Sequence, residues 1–117
     1  MRRSNLIVLA VCLAVSCSLA IGQDKKGGKK GGGAGDAAKG QEVFQQCSVC
    51  HNADSSERKM GPGLKGLFMN EKLANGKKPT EANVRAQIDD GGNGMPAYKE
   101  MLSDEEKNNL IAYLKTL

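Results

Sequence analysis

Aromatic side chains are scarce in this chain: its 117 residues include no tryptophan, two phenylalanines and two tyrosines. A chain of this length forms one small domain with tails, and large aromatic residues would normally fill much of such a core. Domains of roughly 80 residues usually need a metal, disulfides or a cofactor as further support. The shortage predicts that something other than side chains completes the core.

Histidine is scarcer still, because His51 is the only one in the sequence. The chain therefore has no nucleophile accompanied by a second histidine, which argues against hydrolytic catalysis. Structural zinc prefers four Cys or His ligands, and beyond the N-terminal segment only Cys47, Cys50 and His51 are available. A thioredoxin-like dithiol would need a βαβ pattern, which is absent. A disulfide between the two cysteines fits only a precursor state.

Most of the chain carries almost no net charge. Residues 36–117 hold eleven Lys or Arg and twelve Asp or Glu, although the whole chain has a formal charge of +4. The excess lies within the first 35 residues. Nucleic-acid binding, which requires a basic surface on the folded domain, is therefore disfavoured.

The sequence does contain one specific motif, the Cys-x-x-Cys-His of residues 47–51. This spacing is that of a c-type haem attachment site. Two thiols three residues apart can add to the two vinyl groups of one haem, and the histidine that follows can bind the iron. A buried haem would also supply the apolar volume that the core lacks.

The first 22 residues have the features of a secretory signal peptide. Arg2 and Arg3 precede an apolar run from Leu6 to Ile21, which ends among small residues. Two other interpretations remain open: a lipoprotein with its lipid on Cys17, and an uncleaved anchor, although the run is short for a membrane span. All three predict export.

Residues 23–35 are rich in glycine and lysine and have no apolar periodicity. They are predicted to form a flexible linker. An electrostatic contact with anionic lipid or an acidic partner is the alternative. A flexible segment after a membrane anchor would suit a tethered domain.

Residues 36–117 are predicted to form an all-α domain, since no segment shows a strand pattern. Asp36 and Thr80 are suitable N-caps, and Ser103 to Glu106 form a capping box. Gly40 lies inside the first helix, where glycine is costly, so a close helix crossing is expected there. The predicted helices run from residue 37 to about 46, from 81 to about 90, and from the capping box at Ser103 along an apolar face that reaches Leu117. A short helical turn is predicted at 69–74.

From Asp36 to Leu117 the domain resembles the class I monohaem cytochromes c, in particular the small bacterial ones. The attachment motif matches, Gly40 and Phe44 resemble the first-helix signature of the family, and Tyr113 resembles the aromatic residue on the helix that it crosses. The resemblance implies the cytochrome c fold, in which the N- and C-terminal helices cross and short helices and loops surround one covalent haem.

The resemblance also implies the haem contacts. Cys47 and Cys50 would form the thioethers, and His51 would be the proximal iron ligand. The carbonyl of Pro62 would accept a hydrogen bond from this histidine, as in the family. The apolar pocket is assigned to Leu64, Leu67, Phe68, Val84 and Ile88.

Four methionines follow the linker and could supply a distal ligand: Met60, Met69, Met95 and Met101. Met95 is favoured because it lies in a glycine-rich loop braced by Pro96 and resembles the distal loop of the family. The others are expected to pack as ordinary side chains. Ligation by histidine and methionine raises the reduction potential and fills both axial positions, which argues against an enzyme.

The predicted function is one-electron transfer between redox proteins, by a monomeric domain exported to a bacterial periplasm, soluble or tethered. One alternative is a membrane-tethered subunit of an oxidase or dehydrogenase. Another is a haem-based sensor or peroxidase, which would require an open distal position. A ring of lysines could dock an acidic partner or be ordinary surface: Lys59, Lys65, Lys72, Lys77, Lys78 and Lys99.

Overall fold

The computed structural model describes residues 34–117, so the predicted signal peptide and all but the last two residues of the predicted linker lie outside the described residues. Over this range the chain forms three α-helices: α1 (Ala37–Phe44), α2 (Glu81–Asp90) and α3 (Asp104–Leu114). A 3₁₀ turn spans Leu67–Met69, and within residues 34–117 the only β-type pairing is an isolated bridge between Gly92 and Met95. The prediction of an all-α fold is confirmed.

Helix α1 begins where the sequence predicts and ends earlier. The carboxylate of Asp36 caps it by accepting hydrogen bonds from two backbone N–H groups of the first turn, at 2.9 and 3.2 Å. After Phe44 the backbone tightens, and the N–H of Cys47 donates to the carbonyl of Phe44 at 2.8 Å. The helix therefore ends two residues before the predicted end near Gln46, because turns with mixed three- and four-residue hydrogen bonds replace the regular helix there.

Helices α1 and α3 cross at Gly40. A Cβ atom at Gly40 would lie 1.9 Å from the carbonyl oxygen of Asn109 and 2.8 Å from Cβ of Tyr113. Only glycine therefore allows this approach of the two backbones. Beside the crossing, the rings of Phe44 and Tyr113 pack with centroids 5.3 Å apart and an interplanar angle of 55°. The close crossing predicted at Gly40 is confirmed.

The residues just before α1 also pack on α3. The backbone N–H of Asp36 donates to the side-chain oxygen of Asn109 at 2.7 Å. A Cβ atom at Gly35 would lie 2.1 Å from the carbonyl oxygen of Asn108. The packed domain therefore includes at least one residue of the segment assigned to the linker.

Helices α2 and α3 begin as predicted. The hydroxyl of Thr80 accepts from the backbone N–H of Asn83 at 3.2 Å. Ser103 and Glu106 form both hydrogen bonds of a capping box. The guanidinium of Arg85 on α2 donates to Asn108 at 2.6 Å, which fastens α2 to α3.

The short helical turn of the middle region lies earlier than predicted, at Leu67–Met69 instead of 69–74. Gly66 precedes it with a φ of 67°, a left-handed conformation that glycine adopts without strain. The turn therefore begins directly after this glycine, a position that apolar periodicity does not indicate.

The core is a layer of aliphatic side chains around a cavity, and among the described residues Leu110 is the largest side chain that is fully buried. None of the described helices is long and apolar enough to cross a bilayer. The buried hydrophobic residues are Phe44, Leu64, Leu67, Val84, Ile88, Leu102, Leu110, Ile111 and Leu114.

Candidate functional site

A cavity of about 500 Å³ lies between the turns that follow α1 and the loop that follows α2. Cys47, Cys50, His51 and Met95 all line it. The rest of its wall is largely aliphatic, and this part includes Leu64, Leu67, Val84, Ile88, Leu110 and Leu114. The structure thus brings the predicted sulfur and imidazole groups to one apolar chamber.

The two cysteines are presented by a single tight turn. The backbone N–H groups of Cys50 and His51 both donate to the carbonyl of Cys47, at 3.1 and 2.9 Å. Burial raises the pKa of the Cys47 thiol to about 11, and the neighbouring Cys50 adds to the shift. Cys47 is therefore a neutral thiol at the cavity wall.

The imidazole of His51 is fixed by its neighbours. Its Nδ1 lies 2.8 Å from the carbonyl oxygen of Pro62. A carbonyl can only accept, so Nδ1 carries the proton and donates, which leaves the lone pair of Nε2 for a metal. A Cβ atom at Gly61 would lie 2.4 Å from Cε1 of the ring, so glycine is required beside it. The hydrogen bond to Pro62 implied by the family resemblance is present.

Met95 lies in a loop of unusual backbone conformation. The four residues from Gly91 to Gly94 all have positive φ, between 52° and 111°. Gly92 and Met95 exchange two backbone hydrogen bonds, at 2.9 and 3.0 Å. This small closed loop places the Met95 side chain at the cavity wall.

Gln87 contacts the Met95 sulfur and was missed by the sequence analysis. Its Nε2 lies 3.9 Å from Sδ of Met95 and donates to the carbonyl of Gly91 at 2.8 Å. Its Oε1 accepts from the Asn75 side chain at 2.7 Å. The available signal was its place one turn before Gly91 on α2, which directs it toward the loop.

The other methionines and Phe68 have different surroundings from Met95. Met60, Met69 and Met101 are 73%, 86% and 62% exposed. Met60 reaches the rim of the cavity, where its sulfur lies 3.8 Å from Sγ of Cys50. Phe68 does not line the cavity but packs, partly buried, against the aliphatic core. Pro62 and Leu64 do line it.

Tyr98 also lines the cavity. Burial raises the pKa of its hydroxyl, and negative charge on Cys47 or Cys50 would raise it further. Tyr98 is therefore neutral at physiological pH and adds no charge to the wall. Tyr98 was not among the pocket residues predicted from the sequence.

The chamber fits a haem in size and in chemistry. Its volume is within the range of about 300–1,000 Å³ typical of cofactor pockets, and its wall is mainly apolar. Two thiols, one imidazole nitrogen and one thioether are the donors that haem c uses. Within residues 34–117 no three His, Cys, Asp or Glu residues are grouped as a metal site.

Comparison with known proteins agrees with this fit. The family described as "Cytochrome C oxidase, cbb3-type, subunit III" matches residues 35–114. Cytochrome c2 of Rhodospirillum rubrum is 36% identical over 110 residues, which covers 71% of this chain and 82% of that protein. Cytochrome c6 of Leptolyngbya boryana is 39% identical over 80 residues, which covers 68% of this chain and 89% of that protein.

A solved structure shows the same fold. Cytochrome c6 from the diatom Phaeodactylum tricornutum superposes with a TM-score of 0.56 at 33% identity, over 70% of this chain and 93% of that one. These relatives are small cytochromes that the chain covers over most of their length, which favours a carrier over a subunit held in a larger complex. The chain belongs to the class I monohaem cytochromes c, and it transfers electrons through one covalently attached haem c.

Proposed function

We propose that Cys47 and Cys50 hold the haem through thioethers and that His51 and Met95 are its two axial ligands. The observation that carries this proposal is that one apolar cavity is lined by all four side chains. They come from two separate segments, the turn after α1 and the loop after α2. No other histidine exists in the chain, and three other methionines of the domain are exposed.

The haem iron supplies a one-electron couple when bound. His51 is held in one tautomer by Pro62, which keeps Nε2 available as a ligand. The thioether of Met95 is a softer ligand, and pairing it with histidine raises the reduction potential relative to two nitrogen ligands. The aliphatic wall excludes water, which limits the reorganisation that accompanies a change of charge.

We also propose that the protein is a carrier and not an enzyme. With protein ligands at both axial positions, no coordination position remains for oxygen or a substrate. The relatives are named as cytochromes c2 and c6, which supports the carrier interpretation. A sensor or peroxidase would require Met95 to leave the iron.

Absorption spectroscopy of the oxidised haem protein tests the ligands. The wild type should be low-spin and show the far-red charge-transfer band of a methionine–iron bond. Met95→Ala should lose this band and become high-spin, whereas the control Met101→Ala, at a side chain 62% exposed, should keep it. A high-spin wild type, unchanged by Met95→Ala, would overturn the distal assignment.

We further propose that residues 1–22 direct export to a bacterial periplasm and that residues 23–35 are a flexible linker. The support is the sequence pattern alone. Mass spectrometry of the mature N-terminus separates cleavage, a lipid on Cys17 and a retained anchor. Partition with membranes at low and high salt then tests an electrostatic role of the linker.

The partners are proposed to be protein donors and acceptors of electrons that dock weakly and briefly. The six lysines of the predicted ring are all exposed in the structure. If they dock an acidic partner, the rate of electron transfer should fall as ionic strength rises. A rate independent of salt would assign these lysines to ordinary surface.

A further inference from the structure

Lys107 is a buried charged residue with no part in haem binding as described above. It lies on α3, and its side chain is 5% exposed. Lysine is almost never fully buried unless its ammonium group is paired. Its partners therefore indicate what the residue does.

The ammonium of Lys107 joins two other segments. It lies 2.7 Å from Oδ1 of Asp89, near the end of α2, and forms an ion pair with it. It also donates to the backbone carbonyl of Lys99 at 2.9 Å. Lys99 is four residues beyond Met95, so Lys107 connects α3 directly to the segment that carries the proposed ligand.

The same segment is tied to α2 by its backbone. The N–H of Tyr98 donates to the carbonyl of Ile88 at 2.9 Å, and the N–H of Lys99 donates to that of Asp89 at 3.2 Å. Before Met95 the chain runs through the four positive-φ residues from Gly91 to Gly94. A glycine-rich stretch has high conformational freedom, so the contacts after Met95 are needed in addition to the Gly92–Met95 pair and Gln87 to fix its position.

The buried position of Lys107 is better explained by the geometry that its ammonium group imposes than by a gain in folding stability. A buried ion pair is often no more stabilising than apolar side chains of the same volume. The hydrogen bond from the same ammonium group to the Lys99 carbonyl is directional, however, and it specifies where that carbonyl lies relative to α3. An apolar residue at position 107 could fill the space without fixing that carbonyl.

We propose that Lys107 is a positioning residue for Met95. Its ammonium group, paired with Asp89, holds the Lys99 carbonyl and so keeps the loop closed with the methionine sulfur toward the haem. This inference rests on the proposed role of Met95 as the distal ligand. In this proposal, Lys107 makes the methionine–iron bond harder for a competing ligand to displace.

Displacement of the methionine by imidazole measures this resistance. The full haem-bearing protein is titrated with imidazole in the oxidised state, and the loss of the far-red methionine–iron band gives the association constant. Lys107→Met keeps the approximate length of the side chain and removes its charge and its hydrogen bond to the Lys99 carbonyl. The association constant should rise about tenfold, the usual effect of losing one hydrogen bond from a charged donor.

Arg85→Met is the matched control. Arg85 also joins α2 to α3, through Asn108 at 2.6 Å and Asp104 at 2.5 Å, but its hydrogen bonds do not involve the Met95 loop. It should lower the denaturant midpoint without changing the imidazole constant. If both variants raise the constant equally, Lys107 is only part of general stability and the proposal is wrong.

An unchanged constant in Lys107→Met would also overturn the proposal. If that variant does not mature, Asp89→Asn gives the same test, because it removes the counter-ion and leaves the lysine. A smaller rise is expected there, and no rise would count against the proposal. A wild type that lacks the methionine–iron band would instead refute the ligation by Met95, so the two failures are distinguishable.

Discussion

Gln87 uses both ends of its side-chain amide at the edge of the cavity. Its amide nitrogen is shared between the Gly91 carbonyl and the Met95 sulfur, and its oxygen accepts from Asn75. A donor near a ligand sulfur withdraws electron density from it, which favours the reduced iron. With Met95 as the proposed iron ligand, we expect Gln87 to act on both the shape of the loop and the potential of the haem.

Gln87→Leu should lower the reduction potential. The N–H to sulfur contact is long, so its loss is worth about 1 kcal/mol, or some 40 mV for one electron. Potentiometric titration measures the change. The control is Gln41→Leu on the exposed side of α1, which should leave the potential unchanged. A potential that rises or stays constant in Gln87→Leu would contradict this role.

At the scale of single residues, the sequence predicted the groups whose chemistry is distinctive. Cys47, Cys50 and His51 form a contiguous motif, and Met95 has a characteristic glycine-rich context. Gln87 was missed because an amide on a polar helix has the same pattern as a surface residue. Phe68 was assigned to the pocket because it is apolar and adjacent to Leu67, but a neighbour in a 3₁₀ turn points in a different direction.

The crossing of α1 and α3 is the main contact between secondary-structure elements. Gly40→Ala should force the two helices apart, because the new Cβ atom would meet backbone and not a flexible side chain. Overpacking of this kind costs about 3 kcal/mol, which exceeds the roughly 1 kcal/mol that alanine gains over glycine within a helix.

Denaturant unfolding of the haem protein measures this loss. Gln41→Ala, on the exposed face of the same helix, is the control and should change the free energy of unfolding by no more than about 0.5 kcal/mol. Equal stability of Gly40→Ala and the wild type would mean that the helices can separate without cost.

The cap of α3 should make a contribution to folding stability that depends on pH. Hydrogen bonds from the backbone and hydroxyl of Ser103 hold the pKa of Glu106 below its usual value. Because the pKa of Glu106 is lower in the folded protein than in the unfolded chain, its ionised carboxylate stabilises the fold at pH values above the unfolded-state pKa. This stabilisation is lost as the pH falls through the folded-state pKa. Glu106→Gln should therefore be less stable than wild type at pH 7, with the difference disappearing in acid.

Urea midpoints at neutral and acidic pH test this dependence. Glu71→Gln, at an exposed residue outside the helices, is the control and should show a smaller difference. A loss in Glu106→Gln that is the same at both pH values would assign the effect to packing instead of charge.

Element boundaries were predictable where a local signal sets them. The N-caps at Asp36, Thr80 and Ser103 depend on residues within one turn, and all three helices begin as predicted. Helix α1 ends two residues earlier than predicted, and the middle turn begins two residues earlier and ends five residues earlier. Both are set by tertiary demands, the presentation of Cys47 and the left-handed Gly66, which local periodicity does not contain.

The whole domain is organised around a chamber that its side chains do not fill. At about 24 cal/mol per Å³, a cavity of about 500 Å³ corresponds to about 12 kcal/mol. This is comparable with the whole stability of a small domain, about 5–15 kcal/mol. The scarcity of aromatic residues in the sequence and the volume of the cavity have the same meaning: the side chains alone do not fill the core of the domain.

A chain that cannot attach haem should therefore not keep the native fold. A Cys47→Ser/Cys50→Ser variant, purified without haem, should show no cooperative thermal transition and poorly dispersed amide resonances. The haem-bearing wild type, measured in the same buffer, is the reference. A cooperative transition in the variant would show that the side chains alone stabilise the fold.

The raised pKa of Cys47 has a consequence for the order of events in biosynthesis. Addition to a vinyl group requires the thiolate, and a thiol with a pKa of about 11 is ionised in roughly one molecule in a thousand at pH 8. A chamber that closed before attachment would therefore slow the formation of the thioether bonds. We expect attachment to take place while the nascent chain is still open, with folding following as the step that makes the new bonds inaccessible.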